Sequence, residues 1–155
     1  MQLAEINIAR LKKPLDHPQT AGFTNNLDRI NDVAERSEGF VWRYTDESGN
    51  ATDTQIADDP LVIVNVSVWE SIEALETFVF GTIHRQFYAR RDEWFNTLQS
   101  MHFAMWWVED GTQPTIEEAM ERLQHYEAVG SSDQAFGWDY IPAISKWRTA
   151  RCSAA

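Results

Sequence analysis

The stretch of residues 80–95 carries the side chains of this sequence that are best suited to chemistry. Aromatic, imidazole and guanidinium groups recur at steps of four, four, three and four residues: Phe80, His84, Tyr88, Arg91 and Phe95. That spacing places them along one stripe of a helix. The side of the helix that faces the core is predicted to be the neighbouring apolar stripe of Val79, Ile83, Phe87 and Trp94.

His84 stands at the edge of the apolar side, where partial shielding from water keeps an imidazole pKa near neutrality. Such a histidine can act as a general acid or base, orient a ligand, or bind a metal or haem. It can equally donate to a backbone carbonyl and join helix to strand. The other histidines, at positions 17, 102 and 125, form no metal-binding pair with it. No cofactor is therefore expected, and haem bound by His84 stays open as an alternative.

Two arginines among aromatic residues, Arg43 and Arg91, are the candidates to bind a carboxylate or an enolate. Either could instead form a salt bridge with one of the 24 acidic residues, which is the expected role of Arg85 and Arg90. Asn65 and Ser67 would hold substrate oxygens, or pair with each other.

These residues together predict a small ligand chamber beside a sheet. The catalytic roles are assigned to His84, Arg91 and Asn65. The predicted substrate-binding residues are aromatic and polar side chains: Arg43, Trp42, Ser67, Trp69, Phe80, Tyr88, Phe95 and Trp106. The tryptophans among them could also belong to the core.

Composition narrows the class of protein. The 155 residues suit one domain, and the formal charge of -11 disfavours nucleic acid as a partner. The only cysteine, Cys152, permits no internal disulfide. No apolar run reaches the ~18 residues that cross a bilayer, and the first twenty residues lack the apolar core of a signal peptide. A cytoplasmic protein without membrane contact is expected.

Hydrophobic periodicity predicts one α+β domain over residues 1–142 and a loosely held tail over 143–155. The predicted elements are a strand at 3–11, a helix at about 24–37, strands at 40–44 and 61–69 separated by a loop, a helix from Ser71 that bends near Gly81 and ends at Leu98, a strand at 101–108, a helix from Thr115 to Gly130, and an aromatic strand or arm at 135–142. This βαββαβ order is ferredoxin-like, with an antiparallel sheet and its two main helices on one face.

Strand 61–69 predicts how the sheet is covered. Its valines, at positions 62, 64, 66 and 68, form one face, while Ile63, Asn65, Ser67 and Trp69 form the other. If the helices cover the valine face, the other face is too apolar to stay wet. A second copy packed sheet to sheet would cover it, so the sequence predicts a homodimeric α/β barrel.

Several sequence blocks resemble the DUF3291 family. They are GFVWR at 39–43, VNVSVWESIEALETFVF at 64–80, His-Arg at 84–85, RRDEWF at 90–95, WWV at 106–108 and P-T-x-x-E-A at 114–119. The resemblance implies a dimeric α/β barrel similar to the antibiotic-biosynthesis monooxygenases, and it implies no particular reaction. One departure stands at Gly111-Thr-Gln-Pro-Thr, where the family usually has a basic residue or histidine before Pro-Thr.

Two classes of function remain. The chain has no nucleophile elbow and no glycine-rich phosphate loop, which disfavours hydrolases, kinases and dinucleotide enzymes. The favoured class is an enzyme of secondary or degradative metabolism that acts on an aromatic or polycyclic molecule without an organic cofactor, as an oxygenase, isomerase or cyclase. The other class is a non-catalytic dimeric binder or sensor of a hydrophobic ligand.

Overall fold

The computed structural model describes residues 1–96 and 102–140. Within these residues an antiparallel sheet has five strands: β1 (Gln2–Leu11), β2 (Phe40–Arg43), β3 (Val62–Trp69), β4 (Phe95–Asn96) and β5 (Phe103–Val108). The α-helices are α1 (Ala21–Thr24), α2 (Leu27–Glu35), α3 (Ile72–Gly81), α4 (His84–Ala89) and α5 (Ile116–Val129). Single turns of 3₁₀-helix lie at Pro18–Thr20, Arg91–Glu93 and Trp138–Tyr140.

β1 is the central strand. It pairs with β3 along one edge and with β5, then the short β4, along the other, while β2 pairs with the far side of β3. Helices α1 and α2 connect β1 to β2, and α3 and α4 lie between β3 and β5. The ferredoxin-like α+β fold predicted from the sequence is therefore confirmed.

Local hydrogen bonds explain where the helices begin. Ser71 Oγ accepts from the Ala74 N–H at 3.1 Å at the start of α3, and Thr115 Oγ1 accepts from the Glu118 N–H at 3.1 Å at the start of α5. Each bond satisfies a backbone donor that the helix itself leaves unpaired. Both predicted N-terminal caps are confirmed.

The helix predicted to run from Ser71 to Leu98 is shorter than expected, and the structure corrects it. α3 ends at Gly81 because Thr82 adopts an extended backbone, with φ -115° and ψ -173°. The Thr82 hydroxyl donates to the Phe78 carbonyl at 2.6 Å and accepts from the His84 N–H at 3.2 Å. One side chain thus ends α3 and supports the start of α4, and a 3₁₀ turn and β4 follow. Residues 97 and 98 lie outside the described part.

The two faces of the sheet differ in character. The polar face carries Glu5 and Asn7 of β1 opposite Ser67 and Asn65 of β3. The valine face carries Val64, Val66 and Val68 of β3, and it packs with Ala4, Ile6, Trp106 and two residues of α5, Ala119 and Leu123. The polar face is covered at one end by α2, α3 and the segment after α5, which contribute Ala34, Leu75, Phe78 and Phe136.

The assignment of the two faces from sequence was wrong. The predicted helix-covered face was that of the valines, whereas α2 and α3 cover the polar face and leave Trp69 only 1% exposed. The valine face is covered by α5, the helix added to the βαββαβ unit, and Val66 and Val68 are fully buried. An uncovered apolar face therefore no longer supports the homodimer, which stays a prediction.

Other expectations were met more closely. Residues 45–60 contain no strand, as predicted for a loop, and the flanking strands are each one residue shorter than predicted at that loop. The arm after α5 lies beside β5 through paired hydrogen bonds between Met105 and Phe136, at 2.8 and 2.9 Å. The helix predicted at about 24–37 corresponds to the shorter α2, and the short helix α1 before it was not predicted. The predicted tail at 143–155, with Cys152, lies outside the described residues.

Candidate functional site

A buried carboxyl group lies at the centre of the polar face. Glu5 is 3% exposed and accepts hydrogen bonds at Oε1 from Ser67 Oγ at 2.6 Å and from Asn65 Nδ2 at 2.8 Å. Its Oε2 accepts one longer bond, from Asn7 Nδ2 at 3.2 Å. We call these four residues the Glu5 cluster. All of its hydrogen-bond donors are uncharged.

Strand register explains how the cluster forms. Glu5 lies directly opposite Ser67, and Asn7 directly opposite Asn65, in the antiparallel ladder of β1 and β3. Directly opposed side chains on one face stand about 5 Å apart at Cβ, which is within hydrogen-bonding reach. Asn65 and Ser67 were expected to hold substrate oxygens or each other. Instead both donate to Glu5.

Burial alters the acidity of this carboxyl group. Loss of hydration raises the pKa of Glu5 from 4.5 to about 7, although the hydrogen bonds from Ser67, Asn7 and Asn65 offset part of the rise. Near neutral pH Glu5 therefore exists in both its ionised and its protonated form. Carboxyl groups with this property are able to accept and return protons under physiological conditions.

An arc of ring contacts begins and ends on the polar face of the sheet, at Trp69 and Phe103. Neighbouring ring centroids lie 4.8–6.3 Å apart along the arc. We call it the aromatic arc, and its members in order are Trp69, Phe78, His84, Tyr88, Phe80, Trp138 and Phe103.

Both ends of the aromatic arc rest on the Glu5 cluster. Trp69 Nε1–H donates to Ser67 Oγ at 2.9 Å, and Phe103 of β5 lies opposite Asn7 of β1. The arc and the cluster are therefore connected at Trp69 by a hydrogen bond and at Phe103 by strand register. Within the cluster, Asn7 and Asn65 are half-buried.

His84 belongs to this circuit. Its Nδ1 lies 3.1 Å from the Val79 carbonyl oxygen, which can only accept, so Nδ1 carries the hydrogen in the neutral ring. Nε2 is then the nitrogen with the lone pair, and no described group donates to it. Burial lowers the pKa of His84 from its usual 6.5, and the bond to Val79 partly opposes this. His84 is thus held neutral at pH 7, with Nε2 able to accept a hydrogen bond.

Arg91 borders a cleft that adjoins the arc at Tyr88. Its guanidinium carbon lies 4.3 Å from the Tyr88 ring centroid, and Nη1 donates to the Tyr88 carbonyl at 2.8 Å. No carboxylate of the described residues forms an ion pair with it. The cleft has a volume of about 270 Å³, and its lining includes Ala9, Tyr88, Arg91, Phe95 and His102.

Several of the predicted site residues lie together. His84, Tyr88, Phe80 and Trp69 belong to the aromatic arc, Asn65 and Ser67 belong to the Glu5 cluster, and Arg91 and Phe95 line the adjoining cleft. The predicted stripe stays together although the helix breaks between α3 and α4, because Phe80, His84 and Arg91 each contact Tyr88.

Three predicted residues lie elsewhere. Trp42 and Trp106 pack on the valine face, on the other side of the sheet from His84, because alternation sends them to the face opposite the Glu5 cluster. They are core side chains rather than walls of this chamber. Arg43 Nε is bound to Glu35 Oε1 at 2.7 Å and Nη2 to the Gly49 carbonyl at 3.1 Å, so the salt-bridge alternative describes it. Arg90 likewise pairs with Glu93, as expected.

The residues missed from sequence are Glu5, Asn7, Phe78, Phe103 and Trp138. A signal for Glu5 was present, because an acidic residue alternates with Leu3 and Asn7 in a strand whose other face is Ala4, Ile6 and Ile8. Nothing local indicated Trp138, which reaches the arc only because the arm after α5 pairs with β5.

Metal-binding groups are sparse. No cluster of three or more His, Cys, Asp or Glu residues within 1–96 and 102–140 could hold a metal ion. Haem binding stays a prediction, for which Nε2 of His84 is the available ligand atom. Among the helices described, none is long and apolar enough to cross a membrane.

Comparison with known proteins adds a family and a fold. A family model described as a domain of unknown function, DUF3291, matches residues 2–152. No curated protein matches the chain.

Three solved structures show what the fold is similar to. The NE2512 protein of unknown function from Nitrosomonas europaea has a TM-score of 0.50 and 12% identity, over 74% of this chain and 95% of that one. A variant of SnoaB, a cofactor-independent oxygenase from Streptomyces nogalater, has a TM-score of 0.47 and 15% identity, over 74% and 98%. A protein from Chloroflexus aurantiacus J-10-fl, provisionally named an antibiotic biosynthesis monooxygenase, has a TM-score of 0.48 and 15% identity, over 73% and 98%. At such identities the likeness concerns the fold alone.

Proposed function

This chain belongs to the DUF3291 family, a domain of unknown function, and we propose its function from the geometry of the site. The protein binds a planar, ring-bearing small molecule between the sheet and helices α3 and α4. It catalyses a proton transfer on this molecule without an organic cofactor. The ligand class follows from the walls, since aromatic side chains stack favourably on flat rings.

One observation carries the proposal: the aromatic arc adjoins a cluster of titratable and amide groups at both of its ends. Rings alone would suit any hydrophobic ligand, and a polar cluster alone would suit a structural network. Their connection, with Trp69 bound to Ser67 and Phe103 opposite Asn7, supports a site in which ring-binding and proton-moving groups act on one ligand. Proximity of this kind is a main source of catalytic rate.

The chemistry begins with removal of an acidic hydrogen from a ring carbon or hydroxyl. The electron pair left behind forms an enolate or phenolate, which the second N–H of Asn65 and the guanidinium of Arg91 are suited to stabilise. Nε2 of His84 accepts a hydrogen bond or a proton from the substrate. Return of the proton to another atom of the ligand gives isomerisation. Attack of the carbanion on a carbonyl of the same molecule, followed by protonation of the resulting alkoxide, gives cyclisation. Reaction of the anion with O₂, which takes its electrons from the substrate, gives oxygenation.

Binding and turnover of simple flat probes test this function. The probes are 2-naphthol, followed by calorimetry, and 5-nitrobenzisoxazole, whose base-promoted ring opening releases a coloured phenolate. We expect wild-type protein to bind the first and to open the second faster than buffer does. Phe80→Leu, which shortens the arc, should weaken both, whereas Phe87→Leu should not, because Phe87 stacks on Trp94 outside the arc.

The alternative function is a non-catalytic binder of a hydrophobic ligand. Binding of 2-naphthol that depends on Phe80, without any acceleration of ring opening, would favour it. Absence of binding to the wild-type protein, or equal losses in the two leucine variants, would contradict a ligand chamber at this place. A homodimer and a cytoplasmic location remain predictions from the sequence.

A further inference from the structure

Glu5 is a buried acid without a cationic partner among the described residues. Carboxyl groups are almost never fully buried unless they are paired, since loss of hydration penalises the ionised form. The hydrogen-bond partners of Glu5 are the neutral Asn7, Asn65 and Ser67. A purely structural network at this position would be served as well by a glutamine, which carries no such penalty.

The two carboxylate oxygens are not equivalent. Oε1 accepts two short bonds, at 2.6 and 2.8 Å, whereas Oε2 accepts a single bond of 3.2 Å from Asn7. An ionised carboxyl group offers about four acceptor positions, so Oε2 retains an unused one. Each oxygen accepts from one half-buried asparagine, Oε1 from Asn65 and Oε2 from Asn7, and only Oε1 accepts in addition from the buried Ser67.

No charged group is among the causes of the pKa shift of Glu5, which are burial and three neutral hydrogen bonds. The titratable and charged residues on α2, α3 and α4 are Asp28, Arg29, Asp32, Glu35, Glu73, Glu76, His84, Arg85 and Tyr88, and those in the described segment after α5 are Asp133, Asp139 and Tyr140. The proton affinity of Glu5 is therefore set by the chamber itself and will respond when a ligand changes its hydration.

We propose that Glu5 is the catalytic base of this site, with a weakly acidic, planar ring compound such as a phenol or an enolisable ketone as its substrate. The inference rests on the proposed function. Oε2 takes the hydrogen from a ring C–H or O–H bond, and the bonding electron pair stays on the substrate as an enolate or phenolate. The resulting carboxylic acid then returns the proton to another substrate atom or to water, which restores Glu5.

The roles of Glu5 and His84 then differ. A base works best when its pKa is close to the working pH, which describes Glu5. The pKa of His84 is lowered, and its Nδ1–H is bound to Val79, so it is a weaker base that orients the substrate through Nε2. Where the environment shifts the pKa values of two titratable groups in opposite directions, the two groups commonly take different roles in proton transfer.

The test uses 5-nitrobenzisoxazole with the whole chain. In this probe the base takes the ring C–H proton, the freed electron pair completes a nitrile, and the N–O bond breaks with its electrons on the phenolate oxygen. We expect Glu5→Gln to lower kcat/KM by about 100-fold or more, in the range typical of a lost general base. Glu121→Gln on the exposed side of α5 is the matched control and should change nothing.

Two further readouts separate a base from a structural residue. The wild-type kcat/KM should rise with pH through about 7, as the carboxyl group ionises, and this rise should vanish in Glu5→Gln. Glu5→Asp retains a carboxylate in case the glutamine variant does not fold, and it should keep part of the rate and the pH profile. Calorimetry with 2-naphthol should show that Glu5→Gln still binds.

The outcomes distinguish the two proposals. If wild-type protein neither binds 2-naphthol nor opens the probe, the proposed function fails, and Glu5 as its base fails with it. If it does both, and folded Glu5→Gln keeps the wild-type rate and pH profile, Glu5 is not the base and the chamber stands. A rate lost in His84→Gln but not in Glu5→Gln would assign the proton to His84 instead.

Discussion

Ser67 Oγ donates a 2.6 Å hydrogen bond to Glu5 Oε1 from the position directly opposite it on the neighbouring strand. Ser67 Oγ also accepts the Nε1–H of Trp69 at 2.9 Å. One hydroxyl therefore connects the buried acid to the first ring of the aromatic arc. Its removal affects both the Glu5 cluster and the aromatic arc.

Ser67→Ala should lower the free energy of unfolding by about 2–3 kcal/mol, because it leaves Trp69 Nε1 unpaired and removes a donor to a buried carboxyl group. Urea denaturation measures the change. In a Glu5→Gln background the loss should be smaller, with a coupling free energy of about 1 kcal/mol. Additive effects of the two substitutions would show that the Ser67–Glu5 bond contributes nothing to stability.

The stability of the protein should depend on the ionisation of Glu5. Its pKa in the folded state is about 7, above the 4.5 of the unfolded chain, so the folded state binds the extra proton between these values. The stability that comes from protonated Glu5 is fully present below pH 4.5 and is lost as pH rises through 7. Relative to Glu5→Gln, the loss for wild type should total about 3 kcal/mol.

This dependence is measured by urea denaturation of both proteins at a series of pH values. Glu121→Gln should follow the wild-type curve, since that side chain is exposed on α5. A constant difference between wild type and Glu5→Gln over the whole series would mean that Glu5 ionises as an ordinary surface acid does.

His84 should act in the opposite direction. Its pKa is lowered by burial, so the unfolded chain binds a proton more readily than the folded one. The stability that comes from neutral His84 is fully present above pH 6.5, the usual pKa of histidine, and is lost as pH falls below that value. His84→Gln should therefore lose less stability than wild type on acidification, as judged by thermal unfolding. His17→Gln, a change in the loop before α1, is the control, and equal behaviour of both variants would contradict the burial of His84.

Gly39 should tolerate substitution much less than Gly49. Both have positive φ, 80° and 81°, but a Cβ at Gly39 would lie 2.5 Å from the Cβ of Ala74 in α3, whereas one at Gly49 meets nothing within 4 Å. Gly49→Ala should cost about 1 kcal/mol, for the left-handed backbone alone. Gly39→Ala should cost about 3 kcal/mol or more, because α3 must also shift. Similar urea midpoints for the two would contradict the close approach of β2 and α3.

Arg91 should bind the anionic group of a ligand, and Arg90 should not. Arg90 is paired with Glu93 through two 2.9 Å bonds, whereas Arg91 stacks on Tyr88 at the cleft without an acidic partner among the described residues. For 2-naphthoate measured by calorimetry, Arg91→Gln should raise Kd about tenfold, the value of one charge-assisted bond, and Arg90→Gln should leave it unchanged. An equal rise in Kd for Arg91→Gln and Arg90→Gln would indicate that 2-naphthoate is attracted over a distance and is not in contact with Arg91.

The elements of the fold were predictable because each depends on residues close in sequence. Alternation over 61–69 predicted β3, and the caps at Ser71 and Thr115 predicted where α3 and α5 begin. The break at Thr82 was not predicted, because helical periodicity continues through positions 80, 84 and 88 although the backbone does not.

For the candidate site, the sequence located the helix-borne half. His84, Phe80, Tyr88 and Arg91 could be grouped since helical spacing alone places them side by side. The sheet-borne half required pairing between strands: Glu5 and Ser67 are separated by 62 positions, and only their register makes them partners. Which face α2 and α3 cover was predicted wrongly, because an amphipathic strand is compatible with cover on either side.

The sequence by itself thus determined β1, β2, β3 and β5, the starts of α3 and α5, the acidic charge and the family resemblance, all of which depend on local order or on composition. The tertiary structure decided that α5 covers the valine face, that Trp138 reaches Phe80, and that Glu5 is buried among amides. The reason is that burial and ionisation depend on neighbours distant in sequence, and those neighbours are fixed only when strands pair and helices pack.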